Sequence, residues 1–461
     1  MKALIVIALL GVVAMMSEVF RFKKLLLPLV VVGLLAACGL AIGDWNTAVR
    51  YYNDMVYFDN YALAFTSLII VITLLWLMIS KGYFVSESSR AEHATLILFT
   101  LCGGVIMTAY SDLSMFFVGL EILSISLYVL ASSNKHDLKS NEAGMKYFLM
   151  GSFATGFLLF GMALIYGATA SFNLVKIAEY IQTTAAHGQT PMFVYTGVLL
   201  MMVGLMFKVS AAPFHFWAPD VYEGAPTLIT AFMATVVKTA AFAAFYRLFS
   251  TCFGDISGFW AQTLAIISAV TMLTGNILAV SQSSLKRMLA YSSIAHAGYM
   301  LMAIVAMNKI SGGAIFLYAT AYSLGSLGAF ACLHAISKYG DESIENLKGF
   351  AADNKIWAGF LGVIVLSLAG IPPVAGFFAK YYIFYGVFQS NFTWLVLVAI
   401  LSSLIGVYYY FRIIITMVQP RSEKATVLPS LTGAHKALLL ISALLALGIG
   451  IYPAFLQGLL S

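Results

Sequence analysis

The chain has 461 residues, 61% hydrophobic and only 10% charged, whereas soluble domains are roughly 45–50% apolar and about 25% charged. Soluble globular and disordered classes are therefore excluded. A net charge of +6 would in a soluble protein point to nucleic acid; here it reads as Lys and Arg held in cytoplasmic loops, and no nucleic-acid partner is expected.

About 20 apolar residues span a bilayer, and fourteen such stretches follow one another along the chain. They run near 2–20, 25–43, 59–80, 93–110, 113–132, 143–168, 192–212, 226–249, 259–281, 288–307, 312–337, 356–385, 392–418 and 435–457. The first follows Lys2 like a signal peptide, but Ser17 to Arg21 offers no small-residue cleavage site, so it counts as a helix. The expected class is an all-α polytopic membrane protein of about 14 transmembrane helices. It forms one integral membrane domain over 1–461, with three helices in 1–80 and a last one at 435–457. The largest gap, 169–191, leaves no room for a soluble insertion.

Charge sets the orientation. Seventeen Lys and Arg lie on odd-numbered connections, among them Arg21, Lys81, Lys135, Lys286, Lys338, Lys348 and Lys424, against four (Arg50, Lys176, Arg247, Lys309) on even ones. The positive-inside rule places both termini on the periplasmic side.

Three lysines remain inside spans: Lys208, Lys238 and Lys380. One carboxylate joins them, Glu121, about nine residues past Asp112 and so ~13 Å along a helix. Each costs about 2.5–3.5 kcal/mol on insertion scales. The bland reading of each is a snorkelling or structurally paired group, strongest for Lys208 beside its helix break. The functional reading is a proton path, because protonation of an ionisable group in a wet interior responds to neighbouring charge.

Two spans are interrupted. One carries Pro213 within the Phe207 to Asp220 stretch, the other Pro372 and Pro373 within Gly370 to Lys380. Proline breaks the backbone ladder, which membranes tolerate only where protein or water satisfies the freed groups. Broken helices of opposite direction, five spans apart, predict two inverted five-helix repeats, spans 4–8 (93–249) and 9–13 (259–418). The match is imperfect, since Lys208 precedes its proline and Lys380 follows its pair. His296 in the tenth span, His334 in the eleventh and His215 beside the first break can pass protons near neutral pH. Each also reads as a hydrogen-bonded core histidine.

Cys38, Cys102, Cys252 and Cys332 lie in or beside apolar stretches with no CxxC or Cys/His spacing, and read as small buried hydrophobes. No haem, zinc or iron–sulfur ligand set and no Gly-rich nucleotide fingerprint is visible. No metal, no cofactor and no redox centre is expected in this chain.

At these residues the chain resembles the antiporter-like membrane subunits of respiratory complex I, relatives of Mrp-type cation/proton antiporters. The resemblance covers nearly the whole chain and is strongest at Phe116 to Glu121, Lys208 to Asp220, Leu285 to Ser293 and Gly370 to Lys380. Glu142 to Gly151 and Leu164 to Thr169 look most like the N-type branch. A Lys at position 380 separates it from the M-type, and the lack of a lateral helix after 457 from the L-type. The resemblance implies fourteen helices with two inverted repeats. It also implies roles: Glu121 paired with Lys208, Lys238 as central relay, Lys380 at the other end of the path. NADH, FMN, iron–sulfur clusters and quinone would reside in partner subunits of the bacterial cytoplasmic (inner) membrane.

The leading expectation is a proton-translocating subunit of the membrane arm of NADH:quinone oxidoreductase, partnered by other membrane-arm subunits, lipid, protons and water. The alternatives are an Mrp-type cation/proton antiporter subunit and a structural scaffold with buried charge pairs. A metabolite transporter is weaker, because no constellation points to an organic substrate.

Overall fold

In hydrocarbon the backbone must satisfy its own polar groups, so long apolar runs fold as helices. The computed structural model describes residues 1–20, 23–80, 90–337, 342–421 and 431–460. Among the described residues thirteen helices are long and apolar enough to cross a membrane. The twelfth stretch is split into Lys355–Ala369 and Ala375–Gln389. Of the loop cations counted for orientation, Arg21, Lys81, Lys338 and Lys424 lie outside the described residues.

Several elements differ from the expectation. The sixth helix runs over Leu138–Thr169, longer than the 143–168 stretch because its first turns are polar, with a Glu142–Lys146 ion pair at 2.7 Å. The 169–191 gap contains a helix, Leu174–Ala186, whose Leu174, Ile177 and Ile181 are buried. That is one amphipathic face, too short and too polar on its other side to register as a span. The all-α expectation also omits a hairpin between spans two and three, Val49–Tyr51 with Val56–Phe58. The eighth span contains a π-helical turn, Met233–Val237, inside the Thr227–Cys252 helix.

The chain forms two compact units. The first comprises Met1–Leu74, Lys81–Ser210 and Val236–Leu264. In it Leu138–Thr169 packs along Met192–Val209, and Gly161 meets Gly197 so closely that a Cβ on Gly161 would sit 2.7 Å from the Gly197 carbonyl oxygen. The second comprises Leu75–Ser80, Ala211–Thr235 and Ala265–Ser461. In it the short Trp217–Gly224 helix packs on Leu285–Ala306. Residues 211–235, inside the first repeat by sequence, thus cluster with the second unit.

Two local devices occur once in each half. In one, Leu113 N–H donates to Phe172 O at 2.9 Å and Leu174 N–H to Ser111 O at 3.0 Å, clipping N-cap Asp112 to N-cap Asn173. In the other half Leu285 N–H donates to Glu342 O at 2.8 Å and Ile344 N–H to Ser283 O at 2.9 Å, clipping Ser284 to Ser343. The second device is the break itself. Met192–Val209 stops at Ser210, φ 63°, whose N–H returns to Met206 O and Phe207 O, and a cis Ala212–Pro213 bond follows. Lys355–Ala369 stops at Gly370, φ 82°, whose N–H returns to Leu366 O and Ser367 O, and a cis Pro372–Pro373 bond follows. A left-handed cap satisfies the last carbonyls, and proline prevents continuation. Spans 5 and 7 thus find counterparts in spans 10 and 12, the spacing that the repeat requires.

Candidate functional site

In the first unit, Lys208 lies in the last turn of Met192–Val209, where helix carbonyls carry partial negative charge. It is 7% exposed. Its Nζ donates to Ser124 Oγ at 2.7 Å and lies 5.8 Å from the Tyr147 ring centroid. Ser124 spends its own proton on Leu120 O at 2.6 Å, which leaves its oxygen free to accept from the ammonium. Glu121, one turn earlier on the same helix, accepts from Thr155 Oγ1 at 3.0 Å. The resemblance implies a Glu121–Lys208 pair, but here the two are not within the 4.0 Å of an ion pair. Lys208 lines a small cavity instead, and Glu121 is bonded to one of its wall residues, Thr155. Ser124, Tyr128, Gly151, Thr155 and Lys208 line it with apolar neighbours, and its volume open to a water centre is about 10 Å³, enough for about one water.

Lys238 is the first residue after the π-turn, 3% exposed, in a helix whose residues from Leu228 to Phe245 are all buried. A π-turn shifts the register of the faces on either side of it and is frequent at functional sites.

In the second unit, Lys380 follows its break but reaches back across it. Its Nζ donates to Ala369 O at 2.8 Å and to Ser403 Oγ at 2.8 Å, with the Tyr299 ring centroid 5.0 Å away. The offset between Lys208 and Lys380 in sequence is thereby offset in space, since each ammonium sits at the C-terminal end of the first half of its broken helix. His296 is held from both sides, Nδ1 by Tyr318 OH at 2.7 Å and Nε2 by Tyr410 OH at 3.0 Å. Tyr410 OH also bonds Ser292 Oγ. Asn276 bonds Tyr409 OH at 2.9 Å, Tyr299 OH at 3.1 Å and Ser402 Oγ at 2.8 Å.

The remaining candidates lie apart from these clusters. The ring of His334 stacks on His435 at 5.7 Å, and His435 Nδ1 bonds Thr432 Oγ1 at 2.6 Å. His215 is buried in the first break against Phe216, ring centroids 4.6 Å apart. Pro213, Pro372 and Pro373 stand at the breaks as expected. Sequence reasoning missed Asn276, Tyr299, Tyr318, Tyr409, Tyr410, Ser402 and Ser403. Their signal was present as polar stripes at helical spacing: Ser292, His296 and Tyr299 in one span, Ser402, Ser403, Tyr409 and Tyr410 in another. It also placed Arg247 and Lys286 in loops, whereas both are buried and paired. Arg247 meets Asp59 at 2.5 Å; Lys286 meets Glu342 at 3.3 Å and Ala225 O at 2.8 Å. Beside Lys286, Arg287 bonds Glu223 at 2.5 Å. All four cysteines are free thiols, and Cys102, Cys252 and Cys332 are buried.

Residues 110–406 match the family model described as NADH:quinone oxidoreductase/Mrp antiporter, TM. The chain is 43% identical over 459 residues to NADH-quinone oxidoreductase subunit N of Cytophaga hutchinsonii, covering 99% of this chain and 98% of that one. A chain of respiratory complex I from Thermus thermophilus superposes with a TM-score of 0.85 at 31% identity, covering 99% and 98%. A chain of the Mrp complex from Dietzia sp. superposes with a TM-score of 0.87 at 20% identity, covering 99% and 95%, a likeness of fold alone.

Proposed function

Because this chain belongs to the NADH-quinone oxidoreductase subunit N family, we propose that it carries protons across the membrane through Glu121, Lys208, Lys238 and Lys380. The observation that carries this reading is the setting of the three lysines. All are buried, and two are held at helix breaks by a hydroxyl that a water or a neighbouring charge can replace. A purely structural charge is instead matched by a carboxylate, as at Arg247–Asp59.

The Glu121–Lys208 gap acts as a two-state element. A carboxylate drawn toward the ammonium retains the proton there, and its withdrawal releases the proton toward Lys238. His296 extends the path beside Lys380, with His334 and His215 as further relay positions. The driving energy arrives from partner subunits that hold NADH, FMN, iron–sulfur clusters and quinone. The assembly sits in the bacterial cytoplasmic membrane, with both termini of this chain periplasmic.

Lys238→Met tests the proposal, because Met keeps the length and removes the charge. The expected result is assembled enzyme with NADH oxidation retained and pumping reduced. Normal pumping at full electron flux would remove Lys238 from the path. Loss of assembly in every charge-removing variant would favour the scaffold reading. Purification separates the Mrp-type alternative: a complex I subunit co-migrates with flavin and iron–sulfur proteins.

A further inference from the structure

Polar side chains of the second unit line up in a file that includes His296, Asn276 and Lys380. From one end it runs Tyr318, His296, Tyr410, each bonded to the next. Next to Tyr410 stands Tyr409, whose ring centroid lies 4.5 Å from its own. From the other end it starts at Lys380, which is bonded to Ser403 and has the Tyr299 ring centroid 5.0 Å from its Nζ. Asn276, 2% exposed, stands where the two ends meet: its Oδ1 accepts from Tyr409 OH, and its Nδ2 donates to Tyr299 OH and Ser402 Oγ.

Every other member of this file can pass a proton. A hydroxyl accepts one on its oxygen and releases its own from the same atom, an imidazole takes one on one nitrogen and gives one from the other, and an ammonium gives one and regains one. A carboxamide cannot, because its acceptor is the oxygen and its donor is the nitrogen. A proton taken on Oδ1 would have to be balanced by one lost from Nδ2, leaving a high-energy imidic acid. Asn276 therefore joins the two ends by hydrogen bonds while blocking transfer between them.

We propose that Asn276 is the positioning residue that keeps the His296 and Lys380 ends of this file from exchanging protons directly, so that exchange occurs only when water enters. The inference rests on the proton-path reading above and adds to it a residue that prevents slip.

The test uses the assembled enzyme in inside-out membrane vesicles, reading protons pumped per NADH oxidised. Asn276→Asp keeps the shape but supplies a carboxyl group, which takes a proton on one oxygen as it releases one from the other. Asn276→Leu keeps the bulk and supplies no relay. Asn276→Asp is expected to lower the ratio several-fold at an undiminished rate of NADH oxidation, while Asn276→Leu keeps the native ratio even where its rate falls. A native ratio in assembled Asn276→Asp overturns the proposal. So does an equal fall in both variants, which a merely structural role would produce. Lys238→Met separates the two readings. If it pumps normally the path itself fails; if it does not pump, a native ratio in Asn276→Asp removes only the block at Asn276.

Discussion

Lys380 closes the gap in its own helix: its Nζ donates to the carbonyl oxygen of Ala369, on the far side of the Pro372–Pro373 break, at 2.8 Å. Gly370 makes this possible twice over. Its φ of 82° is open to glycine at little cost, and a Cβ there would lie 2.8 Å from Lys380 Cδ and 2.9 Å from Nζ. Ser210, at the matching point of the other break, has φ 63° and a buried hydroxyl that finds no hydrogen-bond partner among the described residues. Lys208 approaches that break from the preceding turn and needs no such space.

The two caps should therefore respond oppositely to substitution. Gly370→Ala is expected to destabilise by about 1–2 kcal/mol and to push Lys380 off Ala369, lowering pumping with every ionisable group intact. Ser210→Gly is expected to stabilise by about 0.5–1 kcal/mol, the relief of the left-handed strain less the added chain entropy. Thermal unfolding of the solubilised enzyme, with pumping assays alongside, reads both. A neutral Gly370→Ala would show that the ammonium's seat is not held by that glycine.

Lys208 is bonded to Ser124 and Glu121 to Thr155, two residues of one cavity wall, and the charges do not touch. Glu121→Gln and Lys208→Ala are each expected to lower redox-driven pumping. The double variant should be no worse than the more damaging single one, as residues acting as a unit behave. Pumping ratios in assembled enzyme decide it: losses that multiply would mean that the two act separately.

The orientation makes a topological prediction. In a Cys38→Ala background, a cysteine replacing Asn134 should be shielded from a membrane-impermeant thiol reagent in intact cells. One replacing Ser461 should be labelled. The reverse pattern would invert the orientation and the assigned direction of each broken helix.

Composition alone decided the class, since a chain this apolar has no aqueous fold, and proline and apolar length placed the spans to within a few residues. The intramembrane charges were legible because a charge in hydrocarbon is rare enough to count. Glu121, Lys208, Lys238 and Lys380 needed no structure to be noticed. The breaks at Pro213 and Pro372–Pro373 were legible for the same reason: no neighbouring residue can restore the missing backbone donor.

The partners were decided by tertiary structure. Whether Lys208 meets Glu121 or Ser124 depends on side-chain reach across three helices, and one turn along the Leu113–Ala131 helix separates the two acceptors. Whether a cation near a span end is solvated or buried depends on what packs over it, which is why Arg247 and Lys286 were misplaced by counting. Asn276, Tyr409 and Tyr410 lie far apart from Lys380 and His296 in sequence and look like ordinary polar residues of apolar spans. Only the packing of the helices brings them into one file, because hydrogen bonding acts over about 3 Å while the chain separates these groups by many turns.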